Sequence, residues 1–247
     1  MNLIQTEVLM MKITLNKKPK KPIILEGFPG FGLVGTIASE FLIDHLDTEQ
    51  IGSIRIKGMP AMIAVHEGKV VDPIGIFYNK KHNIVIIHGV TGVAGLEWKI
   101  VEAVVKIANQ LQAKEIISLE GIGSPAPTEG AKTYFYTSDD KKAKRLSDAG
   151  SEQLKEGIIM GTTGIMLLKS EKGMPVTSIF AETHSELPDS KAAAKVIQIL
   201  GDYLGLKVNP KPLLKQAEKF ESKLKELLGK SEKITKEQKK KRLSYVG

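Results

Sequence analysis

Short apolar runs alternate along this chain with stretches in which apolar residues recur every three or four positions, so it reads as strands and helices in turn. Residues 23–26 are an apolar run of the kind found in buried parallel strands. Residues 30–45 follow with Phe31, Val34, Ala38, Phe41 and Leu42 at helical spacing. Four runs, 51–56, 62–67, 70–78 and 83–88, then come in quick succession. They leave no room for intervening helices, so antiparallel pairing is expected there. Residues 95–111 read as an amphipathic helix: Leu96, Ile100, Val104, Ile107 and Leu111 share a face, and Glu97, Lys99, Glu102 and Lys106 fall elsewhere. A strand over 115–120, a glycine and proline loop over 121–132, a polar and partly helical segment over 141–156, and strands over 164–169 and 176–181 complete the middle of the chain. Pro188, at a first helical turn, opens a helix to Leu204 that buries Ala193, Val196, Ile197, Leu200 and Leu204. The alternation predicts an α/β three-layer sandwich, with helices on both faces of an open mixed, largely parallel sheet.

Pro210 and Pro212 punctuate the end of this body, so residues 1–210 are expected to form one core and residues 211–247 a helical tail. In the tail, Leu213, Ala217, Phe220, Leu224 and Leu227 step by four and three, an apolar seam that closes at Gly229. Residues 231–242 are lysine-rich with little apolar content and read as a solvated stretch.

Charge sharpens this division. The net charge is +8; residues 211–247 hold twelve Lys or Arg against five Glu, which leaves residues 1–210 at only +1. A basic segment of this kind is a candidate nucleic-acid footprint. Against that stand the near absence of arginine, with Arg242 alone, the interleaved glutamates, and only Phe220 and Tyr245 to stack on bases, so nucleic acid is not the expected partner. Hydrophobic content of 42% with 5% aromatics implies an aliphatic core. There is no cysteine, which excludes disulfides, thiolate ligands and a thiol nucleophile, and the Lys, Glu and Ile bias suits a thermophile. No run of 18 apolar residues and no signal-type N-terminus is present, so a cytoplasmic location is expected.

Candidate chemistry is sparse. The common metalloprotease, hydrolase and P-loop signatures are absent. Ser138 with Lys141 and Ser222 with Lys225 match S-x-x-K but sit in polar surface-type segments, so no catalytic residue is assigned. Among His45, His66, His82, His88 and His184, only His184 has suggestive company. Glu182, His184 and Glu186 alternate ahead of Asp189, either a cation site or, as we favour, acids capping the next helix. Trp98, the lone tryptophan, reads as a helix flank or an interface residue.

Gly30, Gly32 and Gly35 satisfy G-x-G-x-x-G after a strand, the spacing by which a helix N-terminus cradles a pyrophosphate. The competing reading is a packing turn. Phe28 and Phe31 interleave the glycines, and the second strand offers Arg55 and Lys57 where a carboxylate would meet a ribose hydroxyl. A nucleotide- or nucleoside-binding enzyme, NADP-linked through those basic residues, is therefore the alternative, and no cofactor is expected.

The block from Leu25 to Gly35, with Gly27, Phe28, Pro29, Gly30, Phe31, Gly32 and Gly35, resembles the N-terminal signature of the archaeal branch of the proteasome-assembly-chaperone family. Gly121-Ile122-Gly123-Ser124 and the segment 182–194, with Pro188 and Asp189 opening an alanine-rich helix, resemble that family too. The resemblance spans roughly residues 20–205. It implies a nucleoside-phosphorylase-like core, a homo-oligomer, expected to be a ring, and an ATP-independent, non-enzymatic protein that engages the proteasome core particle or an assembly partner. Some family members end in a hydrophobic residue, a tyrosine and one further residue that insert between alpha-ring subunits. The candidate partner-binding residues here are Leu243, Ser244, Tyr245, Val246 and Gly247, with Tyr245 third from the end and Ser244 where the pattern has a hydrophobic residue.

Overall fold

In the computed structural model, residues 11–59, 64–66, 69–90, 92, 94–123, 132–170, 173–183 and 187–215 are described. A nine-stranded sheet is built from β1 (Met11–Leu15), β2 (Ile23–Gly27), β3 (Glu49–Ile56), β6 (Ile74–Asn79), β7 (Ile84–Gly89), β8 (Glu115–Gly123), β9 (Thr133–Thr137), β10 (Glu152–Gln153) and β11 (Val176–Thr183), in the order β1-β3-β6-β7-β2-β8-β11-β9-β10. A separate hairpin pairs β4 (Ala64–His66) with β5 (Lys69–Val71). The helices are α1 (Val34–His45), α2 (Glu97–Leu111), α3 (Asp140–Asp148), α4 (Gly161–Ser170) and α5 (Ser190–Leu204).

Parallel pairing occupies the centre. β7, β2, β8 and β11 run side by side in one direction, while β1, β3 and β6 form the antiparallel arm expected from the closely spaced runs. Alternation along each central strand feeds two cores. Leu25, Ile86, Ile117 and Ile179 pack under α1, α3 and α5, whereas Ile24, Val85, Ile87, Ile116 and Val176 pack under α2 and α4. The three-layer α/β sandwich is thus the observed fold. Among the described residues the tail is represented by its first helical turn at 211–215, where Leu213 is buried in the first core. Ala217, Phe220, Leu224 and Leu227 of the seam lie outside the described residues.

Residues 164–169 depart from expectation: the run is the body of helix α4 and not a strand. A short apolar run does not itself distinguish the two. Here Thr162, Thr163, Ile165 and Met166 are buried while Leu168 is half exposed, a one-sided burial that a helix allows against a sheet face. The sheet position goes instead to β9, whose Thr133, Phe135 and Thr137 alternate inward. β1 also adds an edge strand ahead of residue 23, where the pattern predicts none, and the 141–156 segment resolves into α3 and β10.

One close approach sets the geometry of the centre. A Cβ on Gly35 would overlap the carbonyl oxygen of Leu119 on β8, so α1 starts with its backbone directly against the sheet. Gly35→Ala is expected to force α1 away from β8 and destabilise the fold by about 1–3 kcal/mol, read as a lower urea midpoint at unchanged m-value.

Candidate functional site

The carboxyl ends of β2, β7, β8 and β11 open at one edge of the sheet, the position at which open α/β sheets place their ligand crevices. After β2 the chain makes a tight helical turn over Phe31–Leu33. Gly32 at φ 63° and Leu33 at φ 50° are both left-handed and redirect it into α1. Glycine takes this geometry freely, whereas Leu33 costs about 1–2 kcal/mol to hold there. The surrounding structure supplies that constraint. A Cβ on Gly121 would overlap the Phe31 carbonyl, and Thr183 at the end of β11 presses on Gly32. The Asp189 amide donates to the Gly32 carbonyl at 2.9 Å. The three sequence blocks around 25–35, 121–123 and 182–194 therefore meet at this one corner.

The residues singled out for a cation site divide. Asp189 caps α5, accepting from the Ala192 amide at 2.9 Å and from the Thr183 hydroxyl at 2.8 Å. Glu182 accepts from the Tyr134 hydroxyl at 3.0 Å. His184 and Glu186 lie outside the described residues, as do Ser222, Lys225 and Leu243, Ser244, Tyr245, Val246 and Gly247. The Ser138 to Lys141 motif is a helix start: Asp139 accepts from the Lys141 and Lys142 amides. Trp98 is 56% exposed with the Lys169 ammonium 6.0 Å above its ring. Arg55 is paired with Asp72 at 2.6 Å, and β3 is separated from β2 by β6 and β7, so neither Arg55 nor Lys57 is beside the glycine turn. That distance removes the support for an NADP phosphate.

Phe28 is buried in the second core, where its ring fills the space a Cβ on Gly89 would need. Phe31 stays 39% exposed beside Gly123. Beneath the turn lies a carboxyl: a Cβ on Gly30 would collide with Glu120 Oε1. In a dinucleotide site a phosphate approaches the first turn of the helix; here an acid holds that ground and would repel it.

Glu120 belongs to a polar row set into the otherwise aliphatic face beneath α4. Glu26 on β2 pairs in register with Ser118 on β8, which pairs with Ser178 on β11, so three polar side chains cross the parallel centre side by side. Thr163 of α4 hydrogen-bonds Glu120 Oε2, and its hydroxyl lies 2.8 Å from that of Ser118. Glu26 bonds Ser118 through one carboxyl oxygen, while its Oε1 and the Ser178 hydroxyl are buried without a partner. Burial, with the Glu120 charge adding to it, pushes the Glu26 carboxyl up to about 8, and burial pushes Glu120 to about 7 against the pull of Thr163. His88, on the opposite face with Nδ1 2.8 Å from the Ser39 hydroxyl, is driven down to about 4 by burial and is neutral in the fold.

The two acids carry a signal in the sequence. Leu25-Glu26-Gly27 closes β2 and Leu119-Glu120-Gly121 lies near the end of neighbouring β8, and strands buried on both faces ordinarily stay apolar.

A pocket of ≈ 350 Å³ opens above Glu120, walled by Phe31, Ile122, Ile158, Met160 and Phe180, with Glu97 of α2 also in its lining. Among the described residues no group of three His, Asp or Glu is placed to hold a metal ion, and no helix is long and apolar enough to cross a membrane.

These acids set the pH response of the fold. A carboxyl whose folded value is raised must stay protonated where the unfolded chain ionises. Stability then falls as pH rises from about 4.5 toward 7 for Glu120 and toward 8 for Glu26, by at most about 1.4 kcal/mol per unit for each. His88 has the opposite sign, adding stability between about 4 and 6.5 and so offsetting one acid there. The expected result is a steeper decline in urea-derived stability from about pH 6.5 to 7 than below it, flattened in Glu26→Gln and Glu120→Gln.

The sequence profile described as the PAC2 family matches residues 24–228. A crystal structure of Pyrococcus furiosus PbaA, described as an archaeal homolog of proteasome-assembly chaperone, superposes with a TM-score of 0.79 at 31% identity, covering 88% of this chain and 96% of that one. Pyrococcus furiosus PbaB, described as an archaeal proteasome activator, superposes at 0.77 with 21% identity over 88% of this chain and 98% of its own. An uncharacterised Methanocaldococcus jannaschii protein, MJ0106, is 29% identical over 212 residues, 84% of this chain and 86% of its own length. With the profile spanning most of the sheet and its helices, this chain belongs to the PAC2 family.

Proposed function

We propose that this chain is a non-enzymatic, oligomeric proteasome-binding protein, an assembly chaperone or ATP-independent activator, that works in the cytoplasm. The observation that carries the reading is PAC2 membership joined to 31% identity with PbaA over 88% of the chain. The glycine turn supports it, because its floor is an acid where a nucleotide phosphate would have to sit.

In this reading residues 1–210 are the body and residues 211–247 the working tail. Leu243, Ser244, Tyr245, Val246 and Gly247 dock between alpha-ring subunits of the core particle or on a proteasome assembly partner. An apolar anchor, an aromatic ring with a polar tip and a terminal carboxylate paired with a lysine supply the contacts. One such peptide binds weakly, at about 4–6 kcal/mol, or roughly millimolar to tens of micromolar. Several tails on one homo-oligomer overcome that, since each further tail docks at an effective concentration of about millimolar. The lysine-rich stretch 231–242 then serves as a solvated tether.

The test mixes the intact protein with archaeal core particles, without nucleotide, and follows co-sedimentation and peptidase rate. Binding is expected for the intact chain and is expected to weaken by about tenfold or more in a chain ending at Arg242 and in Tyr245→Ala, with the melting temperature of the body unchanged. If the intact chain neither co-sediments nor alters the rate, the proteasome reading is wrong. If both shortened and intact chains bind alike, docking is not through the tail.

A further inference from the structure

The pocket at the carboxyl ends of the central strands has an acidic floor that the proteasome reading does not use. Its described lining contains Glu97 and Glu120 and no Lys, Arg or His, although the chain as a whole carries +8. Apart from Thr162 and backbone the remaining walls are apolar, with Phe31, Ile158 and Met160 exposed at 39, 89 and 80%. At ≈ 350 Å³ the volume falls within the roughly 300–1,000 Å³ of ligand sites.

Hydrogen bonds tie the floor to a buried polar row behind it. Thr163 bonds Glu120, and its hydroxyl lies 2.8 Å from that of Ser118. Ser118 in turn bonds the carboxyl of Glu26. The row runs from Glu26 through two hydroxyls to Glu120, which lines the pocket and ionises near pH 7. Glu26 is 1% exposed, the Glu120 charge acts on its carboxyl, and its Oε1 has no partner.

A second buried acid shows what is missing. Glu115, at the amino end of the same strand, meets the Lys142 ammonium at 2.9 Å and the hydroxyls of Thr177 and Tyr203. No such ammonium is among the described residues lining the pocket above Glu120. A buried carboxylate without a cation is costly, and a ligand that supplies one recovers that cost.

We propose that this pocket binds an alkylammonium group, its aliphatic stem against Phe31, Ile122, Met160 and Phe180 and its charged head on Glu120, with Glu97 at the side. The chemistry is shared by a free primary amine and by a lysine side chain offered by another polypeptide. It is independent of docking through the C-terminal segment.

The test uses the full chain with n-pentylammonium, the neutral isostere 1-pentanol, and two capped tripeptides, Gly-Lys-Gly and its norleucine analogue, by calorimetry and thermal shift. Saturable n-pentylammonium binding with a rise in melting temperature is expected, with pentanol inert. Affinity should increase about tenfold between about pH 6 and pH 8, as Glu120 gives up its proton near 7 with Glu26 behind it and Glu97 alongside, while the amine, at about 10.4, stays charged. Glu120→Gln should weaken binding about tenfold or more, and Glu97→Gln by about two- to threefold. Should Glu120→Gln fail to fold, the pentanol comparison and the pH trend in the natural chain decide. Binding of the lysine peptide but not its norleucine analogue assigns the site to a protein side chain; binding of n-pentylammonium alone assigns it to a free amine. No saturable binding by either cation, equal binding of pentanol, or undiminished binding by folded Glu120→Gln overturns the proposal.

Discussion

The architecture turns on backbone meeting backbone at the corner where β2 gives way to α1. Gly35 lies against the Leu119 carbonyl and Gly121 against the Phe31 carbonyl, so β8 is held at two points with no side chain between. Interiors packed this closely leave no slack. The helix entry, the ends of β8 and β11, and the start of α5 at Asp189 are consequently fixed relative to one another, and the pocket takes its shape from that fixture.

The same fixture explains why glycine spacing is a poor guide to ligand here. G-x-G-x-x-G states that a chain turns sharply and that a helix comes close to a sheet; it does not state what lies opposite the turn. In this fold the opposite residue is Glu120, and β6 and β7 keep Arg55 on β3 away from the turn. An anion-binding motif has become the rim of an acidic pocket. The decisive residue is nearly ninety positions downstream, beyond the reach of any local pattern.

What could be read from the chain follows the same division between local and distant causes. The strand at 23–27, the antiparallel arm and the helices at 97–111 and 190–204 are legible because periodicity is written within each segment, and the cap at Asp189 because capping is local. The α4 segment was not, since Gly164 to Lys169 is apolar over a length that suits either element and its one-sided burial depends on the sheet below. β9 hides its alternation behind threonines at its buried positions, Thr133 and Thr137. Glu26 and Glu120 sit in plain view at the centres of matching Leu-Glu-Gly triplets. Their membership of one polar row nevertheless requires knowing that β2 and β8 are neighbours, which no residue of either strand announces.

Buried acids in an aliphatic core have no evident stabilising use. Replacing buried ionisable groups by well-packed apolar ones is often neutral or favourable, so Glu26, Ser118, Ser178, Thr163 and Glu120 together weaken a face that Ile and Val would fill. Glu115 escapes that argument because Lys142, Thr177 and Tyr203 complete it, tying β8 to α3 and α5. Glu120 has hydroxyl company but no cation among the described residues lining its pocket, which gives access from outside. The asymmetry between the two ends of β8 is therefore chemical: one acid is finished within the chain, and the other is finished only when something positively charged arrives.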